Sequence, residues 1–207
     1  MKIVLMIEGA TEKIFIPYLK KILLEKLKDK MPKLAIYKYD GRIPIKDNLK
    51  RDVNMLLSGK DPANYVIALT DVYTRTNPPV FINAEDAKNK MKTWVGNNKY
   101  FIPHAAQHEF EAWLLPYWDI IQKIAKHNMK APGNNPELVN HQKPPSHWIK
   151  EIFRIGKRSD NYVKQRDAAR ILREVNDNFE KSLNACNELK FFIDSIIYCC
   201  MNENVRN

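Results

Sequence analysis

The sequence predicts an α/β protein with a mostly parallel four-stranded sheet flanked by helices and a C-terminal helical extension. Three observations predict it. In the first half of the chain, short apolar runs that read as buried strands alternate four times with helical stretches, the pattern of a parallel sheet with right-handed crossovers. The alternation stops after Gln107, and the remainder reads as helix and loop. The chain has 207 residues and a hydrophobic fraction of 44%, enough for one domain with a sizeable core or a domain with a small appendage. The expected division is 1–115 for the α/β part and 116–207 for helices packed on it, the two forming one compact unit.

The first strand is Lys2–Ile7, a run (KIVLMI) apolar enough to be buried on both faces. It ends at Glu8, turns at Gly9 and enters a helix predicted over Thr11–Lys30. That helix has Ile14, Tyr18, Ile22 and Leu23 as its apolar face, and Pro17 marks a kink or a later true start. A second strand over Leu34–Tyr39 stops at the Asp40-Gly41 turn, and a helix over Ile45–Leu57 closes at Ser58-Gly59. The third strand, Tyr65–Thr70, is again a continuous apolar run and again ends on a carboxylate, Asp71. After a loop at Thr74–Pro79 comes a helix over Ala84–Val95 that buries Met91, Trp94 and Val95. The fourth strand is Tyr100–Ala106, where Pro103 indicates an edge position or a bulge. A helix begins at His108–Leu115 and resumes beyond Pro116 to about Lys126. Residues 131–145 read as irregular loop. Helices follow over Ser146–Phe153, Asp167–Val175 and Asn187–Met201, the last with Leu189, Phe192, Ile193, Ile196 and Ile197 as its core stripe.

Charge and cysteine usage narrow the function classes. Lys plus Arg number 34 against 24 Asp plus Glu, a formal net charge of +10, which favours a polyanionic partner, most simply nucleic acid. The longest apolar stretches are interrupted by Glu or Lys, so no membrane span is expected. Cys186, Cys199 and Cys200 read as reduced thiols, not as a disulfide framework. With no signal-peptide pattern at the N-terminus, the expectation is a cytoplasmic protein. There is no GxxxxGK[ST] phosphate loop. His104, His127, His141 and His147 lack the spacing of zinc ligands. Trp113, Trp118 and Trp148 read as core or interface.

In a parallel sheet, the ends of the strands emerge on one side, and chemistry gathers there. Glu8 with Glu12, Asp71, and the His108-Glu109-Phe110-Glu111 cluster all fall at such ends. Close carboxylates repel unless a cation or proton lies between them, and hard cations such as Mg²⁺ take carboxylate oxygens. Acidic strand ends in a basic protein fit metal-assisted phosphodiester chemistry. On a helix beginning near Gln107, Glu109 and Glu111 would not share a face, which makes Glu109 the stronger candidate, with His108 beside it as ligand, acid or orienting group. Arg75, Lys157 and Arg158 are candidate phosphate contacts on loops.

The order EGATE at strand one, followed by an apolar strand ending in Asp71, resembles the Toprim domain of topoisomerases, primases and OLD-like nucleases. YFIPHAAQHEFEAWLL, together with PPSHWIKEIF and NYVKQRDAARIL, is similar to the signature of a Toprim-like bacterial family of unknown function, domain-of-unknown-function family 4276. The resemblance covers essentially the whole chain. It implies a Toprim-like, Rossmann-like fold and a site using Mg²⁺ or Mn²⁺. Glu8 is then general acid/base or metal ligand, Glu12 and Asp71 are further ligands, and Lys164 stabilises charge on a phosphate; Glu109, or less well Glu111, is the candidate for the remaining carboxylate. It departs from the Toprim pattern at Tyr73, where a second acid is expected. The implied activity is that of a Mg²⁺-dependent nuclease or nicking subunit, a metal-dependent endonuclease acting on DNA in preference to RNA. A separate ATPase, in phage defence, is the implied partner, and a homo-oligomer is admitted. The alternative is a catalytically inactive Toprim-like adaptor or sensor for a partner ATPase or nucleic acid.

Overall fold

The computed structural model describes residues 1–73, 76–139, 143–156, 162–176 and 178–202. Its order is β1 (Lys2–Ile7), α1 (Ala10–Leu27), β2 (Lys33–Lys38), α2 (Lys46–Ser58), β3 (Tyr65–Asp71), α3 (Ala84–Val95) and β4 (Phe101–Ala106). A 3-10 stretch, Phe110–Tyr117, then leads into α4 (Trp118–Ala125), α5 (Pro145–Ile155), α6 (Lys164–Val175), α7 (Glu180–Ala185) and α8 (Asn187–Met201). The strands form one sheet of order β2-β1-β3-β4, and every pairing is parallel. This is the predicted fold class. Pro103 lies on β4, an edge strand, where its missing N–H does least harm.

Side chains alternate across the pleat of each strand, and both faces of this sheet are covered. Ile3, Leu5 and Ile7 enter an apolar cluster with α1 and the C-terminal helices, which supply Phe110, Trp113, Ile149, Leu172, Phe192 and others. Val4 and Met6 enter a second cluster with Leu49 and Val53 of α2 and Ala87, Met91 and Val95 of α3. So α1 lies on one face and α2 with α3 on the other.

Several predicted elements are corrected. In α1 the buried face centres on Phe15, Leu19 and Leu23, with Ile14 and Tyr18 as part-buried flanks. Pro17 neither starts nor ends this helix. It is exposed, so the hydrogen bond its ring removes lies on the side where water replaces it. The predicted α-helix at His108–Leu115 is instead a turn at His108, an extended Glu109 and a 3-10 helix from Phe110. In that stretch Phe110, Glu111, Ala112, Trp113 and Leu114 are all buried, so no solvent face exists for an amphipathic period to mark. A six-residue helix, α7, was not predicted, being too short to show a stripe. Among the described residues no helix is long and apolar enough to cross a membrane.

Candidate metal centre at the strand ends

β1 lies between β2 and β3. The chain leaves β1 through α1 towards β2 on one side and leaves β3 through α3 towards β4 on the other. The carboxyl ends of β1 and β3 therefore form the point where the winding reverses, the usual crevice of an open parallel sheet. Ile7 pairs with Leu69, which brings Glu8 opposite Thr70, and the Thr70 hydroxyl donates to Glu8 Oε1. Burial, aided by the neighbouring Glu12 charge, pushes the Glu8 carboxyl up to about 7 against the pull of Thr70 and Arg42.

Glu12 sits three residues into α1 from its N-cap, Gly9, which has no side chain to satisfy the helix start. Its carboxylate folds back instead, and the N–H groups of Gly9 and of Glu12 itself favour its charged form, one half of a capping box. A Cβ on Gly9 would meet Glu12 Oε2 at 3.4 Å, so the two are in contact. Burial nevertheless raises Glu12 above the ordinary carboxylate range. Asp71, the last residue of β3, accepts a hydrogen bond from the Phe110 N–H at 2.9 Å. Burial first, then the charges of Glu12 and Glu8, raise its carboxyl well above the usual value.

The segment after β4 closes the site from the other side. His108 adopts φ 71°, a left-handed conformation that a residue with a Cβ holds at some cost. Its carbonyl accepts from the Tyr73 N–H at 2.7 Å. That turn aims Glu109 inward. Glu109 Oε1 accepts from the Ser146 N–H at 2.7 Å. Lys164 Nζ, on the first residue of α6, donates to Glu109 Oε2 at 3.0 Å and to Glu111 Oε2 at 3.1 Å. Tyr162 Oη donates to Glu111 Oε1 at 3.3 Å. Burial works to raise Glu109, but the Lys164 ammonium and the hydrogen bonds from Ser146 outweigh it, and its carboxyl lies below the ordinary value. Glu111 is raised, chiefly by burial and against the pull of Lys164. Lys164 is itself raised, because Glu111, Glu109 and Asp71 more than offset its desolvation.

The structure thus brings Glu8, Glu12, Asp71, Glu109 and Lys164 into one electrostatically linked site. It adds Glu111, which the helical spacing had set apart. Glu109 is an extended cap, outside the 3-10 helix that begins at Phe110 and includes Glu111, so the two carboxylates converge on one ammonium. Thr70, Ser146 and Tyr162 were not singled out from the sequence. Only strand register reveals Thr70, and only the packing of α5 and of the segment before α6 reveals the others. His108 is buried beside the site, and its backbone shapes it. Arg75, Lys157 and Arg158 lie outside the described residues.

The donors are of the kind a hard divalent cation takes, carboxylate oxygens. Burial raises Glu8, Glu12 and Asp71 alike, and neighbouring carboxylate charges add to it at Glu8 and Asp71, so a cation among them relieves a cost the fold already carries. In chemistry the set fits Mg²⁺ or Mn²⁺. As arranged here, no three His, Cys, Asp or Glu side chains among the described residues form a ready-made ligand group.

Fold and site define a class, a parallel α/β domain with an acidic crevice at its topological switch. Within that class, the chain belongs to the family described as Domain of unknown function (DUF4276), whose model matches residues 7–197. None of the curated proteins matches it. Among solved structures it is similar to the C-terminal region of the Xanthomonas campestris pv. campestris OLD protein, at 13% identity and a TM-score of 0.45, over 95% of this chain and 96% of that one. It is also similar to the C-terminal region of the Burkholderia pseudomallei OLD protein, at 10% identity and a TM-score of 0.44, over 96% of this chain and 98% of that one. At such scores nothing about this chain's chemistry follows from the likeness.

Proposed function

We propose that this chain is a metal-dependent phosphodiesterase acting on nucleic acid, a nuclease or nicking subunit whose centre is Glu8, Glu12, Asp71 and Glu109 with Lys164. One observation carries the reading. Glu8 and Asp71, part-buried, and Glu12, buried, lie together at the switch point of the sheet, and a divalent cation among them would offset the cost of holding their charges there. Glu8, Glu12 and Asp71 would hold the ion, with Glu109 as a fourth carboxylate. A bound Mg²⁺ or Mn²⁺ supplies Lewis acidity towards a phosphoryl oxygen.

The remaining roles belong to the chain's own groups. Where Glu8 does not itself ligate the ion, its carboxylate can take a proton from an attacking water and return one to the departing ester oxygen; its value of about 7 belongs to the metal-free site. Thr70 orients the Glu8 carboxyl for that role by donating its hydroxyl to Oε1. Lys164 offers a full positive charge to a phosphate whose negative charge grows as the water oxygen bonds to phosphorus and the ester bond breaks. Glu109, itself held by the Ser146 N–H, positions the Lys164 ammonium. The net charge of +10 supports a nucleic-acid partner. DNA over RNA, and a separate ATPase acting in phage defence, are proposed from the family resemblance alone.

A second reading, a non-catalytic adaptor or sensor, draws on Tyr73, which stands where a second acid would complete the set, and on the lack of a ready ligand group among the described residues. One experiment separates the two. Supercoiled plasmid, single-stranded DNA and RNA are incubated with wild type and with Glu8→Gln/Asp71→Asn protein in Mn²⁺ or Mg²⁺. Nicking or degradation by wild type, reduced at least a hundredfold in the double variant, is the expected outcome. Equal activity in both preparations, or none in either together with no Mn²⁺ binding by calorimetry, overturns the nuclease.

A further inference from the structure

We propose that Lys164 is the resident counter-cation of the acidic crevice and competes with a divalent ion for it, so that loading the site requires the Lys164 ammonium to leave Glu109 and Glu111. The inference rests on the metal-dependent reading above and adds a mode of control to it.

The geometry is that of a stopper. The Lys164 side chain is 30% exposed, whereas the side chains of Glu109 and Glu111 that it bridges are 3% and 1% exposed. The ammonium therefore enters from the solvent side and ends between two carboxylates that water scarcely reaches. Its backbone is held firmly. The Val163 N–H donates to Asp167 Oδ2 at 2.8 Å, the Asp167 N–H donates to the Val163 carbonyl at 2.9 Å, and Asp167 is itself buried. What can move is the four-carbon stem, whose rotamers let a compact ammonium swing without shifting α6. Such a swing has somewhere to go, because the side chain is already 30% exposed.

Competition follows from charge. Lys164 interacts with Asp71 and Glu12 as well as with its two direct partners, so it serves the whole set. With it in place, Glu109 and Glu111 each have one oxygen committed to Nζ and the other to Ser146 or Tyr162. A divalent ion arriving at Glu8, Glu12 and Asp71 would meet the ammonium's field at short range and find Glu109 occupied. Displaced towards solvent, the same ammonium stands where an incoming phosphate would be met. The swap thus couples metal entry to the exposure of a phosphate-binding charge.

The test compares Mn²⁺ binding by calorimetry, near neutral pH, to metal-free full-length wild type, Lys164→Met and Lys164→Arg. Lys164→Met keeps the stem and drops the charge, and it should bind Mn²⁺ at least tenfold tighter than wild type. Lys164→Arg should bind no tighter than wild type. Mn²⁺ should also raise the melting temperature of Lys164→Met by more than that of wild type. Wild type that binds Mn²⁺ with Lys164→Met binding it equally or more weakly overturns this inference and leaves the metal-dependent reading standing. No Mn²⁺ bound by either protein overturns both. Binding by Lys164→Met alone is competition at its extreme and supports it. Should Lys164→Met fail to fold, wild type decides. Acylation of Lys164 by a succinimidyl ester, read by mass spectrometry, should rise severalfold when Mn²⁺ saturates the site, and an unchanged or lower yield overturns the inference.

Discussion

At the scale of single residues, Glu8 has the environment with the clearest consequence. Its ordinary carboxyl value is 4.5 and its folded value is about 7, raised first by burial. A group that binds its proton more tightly when folded stabilises the fold below the unfolded value, and that contribution is lost as pH rises through the folded one. Glu12, Asp71 and Glu111 are shifted in the same direction, and Glu109 opposes them. In metal-free protein the Glu8 contribution should therefore be lost as pH rises from about 4.5 to about 7, while His104, which burial lowers from 6.5 to about 3, works in the opposite direction over much of that range. The difference isolates Glu8: the melting temperature of Glu8→Gln relative to wild type should rise across this window, and Mn²⁺ should raise that of wild type most at its upper end. A difference that stays flat or falls would show that Glu8 does not bind its proton more tightly in the folded protein. The acids at the ends of β1 and β3 were legible in the sequence because each interrupts an apolar run at its last residue. Glu111 is not legible from an α-helical period, because its stretch winds as 3-10 and is buried all round. Lys164 was legible only through family resemblance, since one lysine in so basic a chain carries no signal of its own.

At the scale of elements, α3 was predicted with its observed bounds, Ala84–Val95, because its sequence carries both a start and a stop. Asn83 is its N-cap, and the side-chain oxygen accepts from the Asp86 N–H at 2.8 Å, while Gly96 follows its end at φ 88°, a conformation glycine adopts without penalty. The same helix start also donates, through the Ala84 N–H, to Gln107 Oε1 at 2.7 Å, tying α3 to the loop that carries Glu109. Asn83→Ala should cost about 1 kcal/mol of stability, measurable by urea unfolding, with the hydrogen bond to Gln107 kept. α1 is the opposite case. Its start has no side-chain cap except Glu12, so a carboxylate proposed as a metal ligand also serves the helix terminus. A sequence pattern alone could not divide those two duties.

For the whole molecule, the predicted division at 115/116 falls within one apolar cluster. Phe15 of α1 packs edge-on against Phe179 at 5.4 Å between ring centroids, and Trp113 stacks on Phe192 of α8 at 6.3 Å. We propose that 1–115 and 116–207 differ in composition and topology but do not fold separately. A 1–115 fragment should then expose Phe15, Phe110 and Trp113 and be aggregated or lack fixed tertiary structure. Solubility and near-ultraviolet circular dichroism check this, and a soluble fragment with a cooperative melt would overturn it. The parallel sheet was legible from four apolar runs. The order of its strands was not, since nothing in the runs themselves places β1 between β2 and β3.

That strand order, with helices laid over both faces, also decides how anything can reach the acids. Sideways access is closed by α1 and the C-terminal helices on one face and by α2 and α3 on the other. Among the described residues, approach is left along the strand axis, end-on. A partner seated on either helical layer would leave that route open, and a long polymer taking it would present one linkage at a time.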